Sequence, residues 1–172
     1  MPKKKEDVSN LEGIDIVNKE NFMKLALKEA EKAYNELEIP VGVVIVKDNK
    51  VIARGHNMKE QKQDSTKHAE IIAIQKACKK LHSWRLCDCD MYVTLEPCSM
   101  CAGALIQSRI RKLYVGTMDE KTGSCGSVLN LLKDYKFNHN VDVEYGVCQK
   151  ECEEILKRFF KELRKNKGNK KA

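Results

Sequence analysis

The run MYVTLEPCSMCAGALIQ, residues 91–107, predicts the central feature of the fold. Its first five residues are apolar or β-branched, which is typical of a buried strand. Pro97 favours the start of a helix, because the N–H that proline lacks has no partner in a first helical turn. The helix itself is predicted over Ser99–Gln107. Cys98 and Cys101 then lie about one turn apart on the same helix face, so a thiol pair is expected where a buried strand passes into a helix.

A second short motif, His68-Ala69-Glu70, stands upstream at the predicted start of another helix, Ala69–Lys80. One imidazole and two thiolates supply three ligands for Zn²⁺, and a catalytic zinc keeps its fourth position for water. Two helix N-termini that meet at one point also favour thiolate over thiol. We therefore predict one catalytic zinc per chain, with His68, Cys98 and Cys101 as its ligands.

Glu70 is the group predicted to move protons at this site. Zinc lowers the pKa of a bound water from about 15.7 toward about 7. A carboxylate beside that water can take a proton from it and pass protons to a ring nitrogen and a departing amine. The backbone N–H of Ala69 can steady the developing oxyanion. Because H-x-E…P-C-x-x-C is the known signature of zinc deaminases that act on nucleobases, the predicted reaction is hydrolytic deamination.

Two other uses of the cysteines stay open from the sequence. A C-x-x-C pair in a cytosolic protein can be a redox pair, although such pairs normally lie in a thioredoxin-like unit without an upstream His and Glu. A structural zinc site with four cysteines is conceivable, because Cys87 and Cys89 stand just before the strand. That site would leave His68 and Glu70 unused. Core packing accounts for the remaining cysteines, which are Cys78, Cys125, Cys148 and Cys152.

The rest of the chain alternates strands with helices, which predicts an α/β protein. Amphipathic helices are predicted over residues 21–37 and 148–165, with a short helix over 128–132. Further strands are predicted over residues 41–46, 51–55, 112–116 and 141–145. The first two form a hairpin, and the later strand–helix–strand units pair in parallel. The predicted architecture is a three-layer sandwich, a five-stranded mixed sheet with helices on both faces.

Length and composition indicate one globular domain without membrane contact. The chain has 172 residues, 42% of them hydrophobic and 33% charged, and no apolar run reaches the roughly 18 residues of a membrane span. The N-terminus lacks the apolar segment of a secretory signal, so we expect a cytoplasmic protein with reduced thiols. Residues 1–17 are predicted to be a flexible polar leader, 18–165 a single deaminase domain, and 166–172 a basic disordered tail.

Positive charge is concentrated near the C-terminus of a chain whose net charge is +7. From Lys157 to the end of the sequence, several Lys and Arg residues occur with a single acidic residue, Glu162. Such a run is either a solvated tail or an edge that binds a polyanion, for which nucleic acid is the obvious candidate. Charge alone does not decide between these two interpretations.

Four stretches of the chain closely resemble bacterial tRNA-specific adenosine deaminases, which convert the wobble adenosine of an anticodon to inosine. The stretches are 39–42 (IPVG), 53–57 (ARGHN), 93–106 (VTLEPCSMCAGALI) and 119–123 (DEKTG). The resemblance runs from about Phe22 to Arg164 and so covers nearly the whole chain. It implies the cytidine deaminase-like fold, zinc, a tRNA anticodon stem-loop as substrate, and a homodimer in which the neighbouring subunit completes each substrate groove.

The same resemblance implies roles for residues outside the metal motif. Asn57 would contact the flipped nucleoside, Asp119 and Lys121 would lie on a loop that faces the RNA, and Phe160 matches an aromatic position near the bound anticodon loop. Without the resemblance, Asn57 reads as a turn residue and Asp119 as a surface or capping acid. Phe159 and Phe160 are adjacent on a helix, so only one of them is expected in the core.

Two other functions compete with wobble deamination. A small-molecule deaminase of the same superfamily, acting on guanine or a free pyrimidine, would use the same metal ligands but would not need a basic C-terminal helix. A non-enzymatic zinc module, or a subunit that serves a catalytic partner, would not need Glu70.

Overall fold

A five-stranded mixed sheet forms the centre of the structure, a computed structural model that describes residues 8–169, with side chains from residue 18 onward. The strands are β1 (Gly42–Lys47), β2 (Lys50–His56), β3 (Cys89–Leu95), β4 (Lys112–Thr117) and β5 (Asp142–Tyr145). Their order across the sheet is β2-β1-β3-β4-β5. Strand β1 pairs antiparallel with β2 and β3, whereas β3, β4 and β5 run parallel. The predicted mixed sheet is confirmed.

Helices cover both faces of this sheet, which confirms the predicted three layers. They are α1 (Val8–Asn35), α2 (Lys59–Lys62), α3 (Ala69–Leu81), α4 (Ser99–Gln107) and α5 (Gln149–Asn169). Side chains of a strand alternate between faces, so the residues of β1 are shared between two apolar clusters. Val43 and Ile45 pack with residues of α3 and α4. Val44 and Val46 pack with residues of α1 and α5 on the other face.

The first turn of α3 lies directly against β2. A Cβ atom added at Gly55 would stand 2.4 Å from the carbonyl oxygen of Ala69 and 3.0 Å from the backbone nitrogen of Ala73. Only glycine allows this close approach of strand and helix backbones. The residue before α3, His68, is thereby held over the end of the sheet from which α4 also begins.

The first and last helices extend beyond their predicted bounds. Helix α1 begins at Val8, so residues 8–17 of the predicted polar leader are helical, and residues 1–7 of that leader lie outside the described part. Helix α5 continues to Asn169, so residues 166–169 of the predicted tail are helical, and residues 170–172 lie outside the described part. The extension over residues 166–169 is polar and has no apolar period, so hydrophobic patterning does not detect it. Residues 8–17 do carry apolar residues at helical spacing, Val8, Leu11 and Ile14, and this signal was missed when they were assigned to a polar leader.

The short helix predicted over residues 128–132 is wrong. The backbone N–H of Val128 donates to the carbonyl of Gly123 at 3.0 Å, and that of Leu131 donates to the carbonyl of Ser124 at 3.0 Å. A bridge also pairs Cys125 with Asn130. These bonds return the chain onto the preceding glycine- and serine-rich loop instead of along a helix axis.

None of the helices within residues 8–169 combines the length and the apolar character needed to cross a membrane.

Candidate metal centre and active site

His68, Cys98 and Cys101 meet at the N-termini of α3 and α4. His68 and Cys98 each occupy the extended position immediately before a helix, with φ/ψ of −76°/152° and −73°/178°, and neither side chain caps its own helix. Their ligand atoms are therefore free to face each other. The Nδ1 atom of His68 lies 3.5 Å from Sγ of Cys98 and 3.6 Å from Sγ of Cys101.

These separations fit a tetrahedral metal ion. With Zn–N distances of about 2.0–2.1 Å and Zn–S distances of about 2.3 Å, tetrahedral angles place nitrogen and sulfur about 3.6 Å apart. All three ligand atoms lie within 4.8 Å of one another, and His68, Cys98 and Cys101 form the only such group among the described residues. One imidazole with two thiols is a donor set that suits zinc. The three residues could hold a metal ion and leave one position for solvent.

Electrostatics at the group also favour a cation. The Cys98 thiolate accepts hydrogen bonds from Cys101 and His68, which lower its pKa to about 4 despite partial burial. Cys101 donates a hydrogen bond to Cys98, and this bond together with burial raises the pKa of Cys101. The hydrogen bond to Cys98 also raises the pKa of His68. The two sulfurs thus share one negative charge beside an imidazole, and a bound cation would replace the remaining proton.

Glu70 lies on the first turn of α3, in the same buried region. It is 4% exposed, and burial raises the pKa of its carboxyl to about 7, against the opposing effects of its own backbone N–H and the charge of His68. Cys101 is within hydrogen-bond reach of the Glu70 carboxylate. A carboxyl in this position is suited to accept and release protons close to neutral pH.

A cleft of about 310 Å³ opens above Glu70 and the metal-binding group. It brings together residues from three predicted motifs that are distant in the chain. Its lining residues are Ile39, Val41, Asn57, Lys59, His68, Ala69, Glu70, Leu95, Glu96, Cys98, Asp119 and Thr122. The cleft is large enough for a single nucleobase with part of its sugar, and it is lined mainly by apolar groups with a few polar ones.

Asn57 lines this cleft and also holds a turn. Its Nδ2 donates to the carbonyl of Ile39 at 3.3 Å, and its Oδ1 accepts from the backbone N–H of Lys59 at 3.3 Å. The side chain is 8% exposed. The predicted turn role is therefore present in the structure together with a position on the cleft wall.

Asp119 organises the loop on which it stands. Its Oδ1 accepts from the backbone N–H groups of Lys121 at 3.0 Å and Thr122 at 3.3 Å, and its Oδ2 accepts from the Thr122 hydroxyl at 2.7 Å. The capping interpretation of Asp119 thus describes its side chain correctly. Its place on the cleft wall allows a role toward a ligand as well.

Lys121 and Phe160 lie outside the cleft, along an adjoining groove of about 840 Å³. The groove shares Ile39, Leu95, Asp119 and Thr122 with the cleft, so the two are continuous. Phe160 is 37% exposed toward it, whereas Phe159 is 7% exposed and packs against Tyr34 with ring centroids 5.7 Å apart. The adjacent aromatic residues are divided between surface and core.

Two charged residues of the cleft lining, Lys59 and Glu96, were not identified as site residues from the sequence. Lys59 stands two residues after Asn57, at the start of α2, and carries no motif of its own. Glu96 precedes Pro97 and is 2% exposed, which is unusual for a carboxylate. An acid between an apolar strand and a proline is the one signal that could have singled out Glu96.

Cys87 and Cys89 take no part in the metal-binding group. Cys87 is exposed, while Cys89 is buried and its pKa is raised to about 11 by that burial. Within the described residues, neither belongs to a group of three possible ligands. The alternative of a structural site with four cysteines is not supported by this arrangement.

Comparison with known proteins agrees with the fold and with the predicted family. The family model described as MafB19-like deaminase matches residues 17–164. The tRNA-specific adenosine deaminase of Bacillus subtilis is 49% identical over 148 residues, which is 86% of this chain and 92% of the relative. That of Aquifex aeolicus is 45% identical over 150 residues, which is 87% of this chain and 99% of the relative.

A solved structure shows the same similarity in three dimensions. It comes from biochemical and structural studies of A-to-I editing by tRNA:A34 deaminases at the wobble position of transfer RNA. The two chains are 45% identical with a TM-score of 0.77, over 79% of this chain and 99% of the other.

Proposed function

The chain belongs to the tRNA-specific adenosine deaminase family, and we propose that it deaminates adenosine to inosine at the wobble position of a tRNA anticodon loop. The reaction consumes one water and releases one ammonia, and the C6 amine of the base is replaced by oxygen. The observation that carries the proposal is the cleft in which Glu70 lies beside His68, Cys98 and Cys101.

We propose that His68, Cys98 and Cys101 hold one Zn²⁺ per chain. When bound, this ion supplies a Lewis acid and lowers the pKa of a coordinated water. The spacing of the three ligand atoms and the low pKa of Cys98 support this assignment.

Glu70 then acts as the proton carrier of the reaction. Its carboxylate takes a proton from the attacking water and passes it to N1 of the adenine ring, and then moves the second proton of that water, from the hydroxyl added at C6, to the leaving amine. Its burial at the bottom of the cleft supports this role, because a carboxyl with a pKa near 7 can work in both directions. The backbone N–H of Ala69, the first residue of α3, would stabilise negative charge that develops on the new oxygen.

Asn57 and Asp119 form the walls against which the base would lie. Asn57 offers amide donors and acceptors for the base or its ribose, while Asp119 keeps its loop in place through Lys121 and Thr122. A base must leave its stack to enter such a cleft, and single-stranded loops release a base more cheaply than a duplex does. This cost favours an anticodon loop over double-stranded nucleic acid.

The adjoining groove would take the nucleotides next to the flipped base. Lys121, Lys157 and Arg164 supply positive charge around the exposed ring of Phe160. Cations paired with an aromatic surface suit a single-stranded RNA segment, whose phosphates and bases they contact. This groove supports tRNA over a free purine or pyrimidine as substrate.

We also propose that the protein acts as a homodimer in the cytoplasm. Exposed apolar side chains in residues 128–137 support an interface there, because exposed apolar patches on single chains often mark contact surfaces. These residues are Val128, Leu129, Tyr135 and Phe137.

The test is an incubation of the purified chain with an anticodon stem-loop that carries adenosine at the wobble position, with inosine as the readout. A stem-loop with guanosine at that position, free adenosine, cytidine and guanine are measured alongside. Inosine in the stem-loop at a rate far above that for the free compounds supports the proposal. Turnover of guanine or cytidine without inosine in RNA would assign the chain to the small-molecule deaminases instead.

A further inference from the structure

The carboxylate of Glu96 is buried against a single loop. Glu96 stands between the end of β3 and Pro97, and its side chain is 2% exposed. Its Oε1 accepts from the backbone N–H of Asp119 at 3.1 Å and from the Ser127 hydroxyl. Its Oε2 accepts from the backbone N–H of Cys125 at 3.0 Å and of Ser127 at 3.1 Å. Four donors from residues 118–128, here called the cleft loop, therefore converge on one side chain.

The cleft loop is wrapped tightly around this carboxylate. A Cβ atom added at Gly123 would stand 2.4 Å from Oε2 of Glu96 and 2.4 Å from the carbonyl oxygen of Asp119. Backbone bonds on both sides fix the same region, because the N–H of Glu96 donates to the carbonyl of Thr117 at 2.9 Å and that of Ser124 donates to the carbonyl of Pro97 at 2.8 Å. The loop has little freedom to move while Glu96 keeps its charge and shape.

Asp119 connects the Glu96 carboxylate to the wall of the cleft. Its backbone is held by Glu96, while its own carboxylate holds Lys121 and Thr122. Asp119 and Thr122 line the cleft. A series of hydrogen bonds thus runs from the residue next to Pro97-Cys98 to the side chains that would face the base.

We propose that Glu96 is a positioning residue that sets the affinity of the cleft for its substrate. It holds the Asp119 end of the cleft loop at a defined distance from the cysteine ligands, while the ligands and Glu70 depend on α3 and α4 instead. Because the substrate is the one named above, the inference rests on the proposed function. It predicts that weakening the hydrogen bonds to Glu96 affects substrate binding more than the chemical step.

The variant Glu96→Gln tests this selectively. A glutamine amide has one acceptor oxygen and one NH₂ group, so its NH₂ group must face part of the donor set. If the NH₂ group takes the place of Oε1, it meets one N–H donor, that of Asp119, because the Ser127 hydroxyl can turn and accept a hydrogen bond from it. On the Oε2 side it would oppose two N–H groups. The lower-cost orientation therefore releases Asp119 and keeps the bonds to Cys125 and Ser127.

We expect Glu96→Gln to raise the stem-loop concentration for half-maximal single-turnover rate by about tenfold to a hundredfold, the equivalent of removing one hydrogen bond to a charged group. The maximal rate stays within about threefold and zinc content stays stoichiometric, because the reacting groups are untouched. Amide hydrogen exchange of the metal-loaded protein without RNA increases for residues 118–123 and stays unchanged for 124–128.

Ser127→Ala is the matched control. It removes a donor from the same carboxylate but leaves the bond between Glu96 and Asp119 intact, so its half-maximal concentration stays within about twofold of the unaltered protein. Unchanged exchange in Glu96→Gln, or faster exchange with unchanged affinity, overturns the proposal. Loss of zinc together with rate overturns it as well, because Glu96 would then support the metal site. Absence of inosine with the unaltered protein would refute the proposed function, and the exchange experiment would still decide whether Glu96 holds the loop.

Discussion

The Nδ1 atom of His68 lies 3.5 Å from the Sγ atom of Cys98, although thirty residues separate them in the chain. Each residue precedes a helix, and both helices begin at one end of the sheet. The ligand group thus depends on the packing of two helices against shared strands and is formed by the folded domain as a whole.

Cys98→Ser should lower zinc affinity by about a hundredfold or more, because a weakly acidic hydroxyl replaces a thiolate in a three-ligand site. Competition with a chromophoric chelator measures the affinity. Cys148→Ser, at a half-buried cysteine before α5, is the control and keeps full affinity. Equal affinity of the two variants would exclude Cys98 from the metal site.

Glu70→Gln should keep one zinc per chain and lower the single-turnover rate of inosine formation by about 10²–10⁴-fold, the usual contribution of a general acid–base group. The amide keeps the size of the side chain but cannot carry a proton. Glu60→Gln, at an exposed acid on α2, should leave the rate unchanged. Turnover of Glu70→Gln close to that of Glu60→Gln would assign the proton transfers to another group.

Lys121→Gln combined with Arg164→Gln should weaken stem-loop binding and reduce the slope of log affinity against log salt by about one for each phosphate that the two cations neutralise. Binding is measured at several salt concentrations with the inactive Glu70→Gln chain. Lys50→Gln, at the exposed first residue of β2, should leave the slope unchanged. The same slope in all variants would remove this groove from the RNA path.

Phe160→Ala should raise the stem-loop dissociation constant by about five- to a hundredfold, since stacking of one base on an aromatic ring contributes about 1–3 kcal/mol. The ring is 37% exposed and contacts Phe159 with ring centroids 5.5 Å apart, so its removal should lower the melting temperature less than removal of the buried Phe159 ring. Phe159→Ala serves as the contrast, because its buried ring supports the core and its removal lowers stability instead. Unchanged binding by Phe160→Ala would leave the ring without a role in RNA binding.

The free energy of unfolding should fall as pH rises from about 9 to about 12, in part because of Cys152. Burial raises the pKa of this thiol from 9.0 to about 12, so the unfolded chain loses its proton first and unfolding becomes easier across that window. The contribution of Cys152 is complete below pH 9 and decreases by up to about 1.4 kcal/mol per pH unit above it. Denaturant titrations at several alkaline pH values should show a shallower dependence for Cys152→Ala. The dependence should be unaltered for Cys87→Ala, at an exposed cysteine.

The sequence predicted those parts of the molecule that depend on local patterns. The β-branched run 41–46 identified a strand buried on both faces, and Val43 and Val44 indeed enter opposite clusters. The proline before Cys98 correctly placed the start of α4, and the i, i+3 spacing brought Cys101 to the same face. These features follow from helix and strand geometry within a few residues.

Interactions between segments distant in the chain could not be predicted from local sequence patterns. The role of Glu96 depends on a loop that begins more than twenty residues later, and its conformation is set by close approach at Gly123. The mistaken helix over 128–132 has the same cause, because tertiary bonds to Gly123 and Ser124 replace helical ones. The extension of helix α1 to Val8 is a different case, because Val8, Leu11 and Ile14 stand at helical spacing and the sequence could have predicted it.

The two faces of the sheet carry different parts of the proposed function. The proposed reaction centre lies at α3 and α4 on one side, whereas Phe160, Lys157 and Arg164 belong to α5 on the other. Under the proposed function, substitutions along the outer surface of α5 would change which RNA is accepted while the reaction centre keeps its packing. An engineer who wishes to redirect such an enzyme to a new oligonucleotide has a separate surface on which to work.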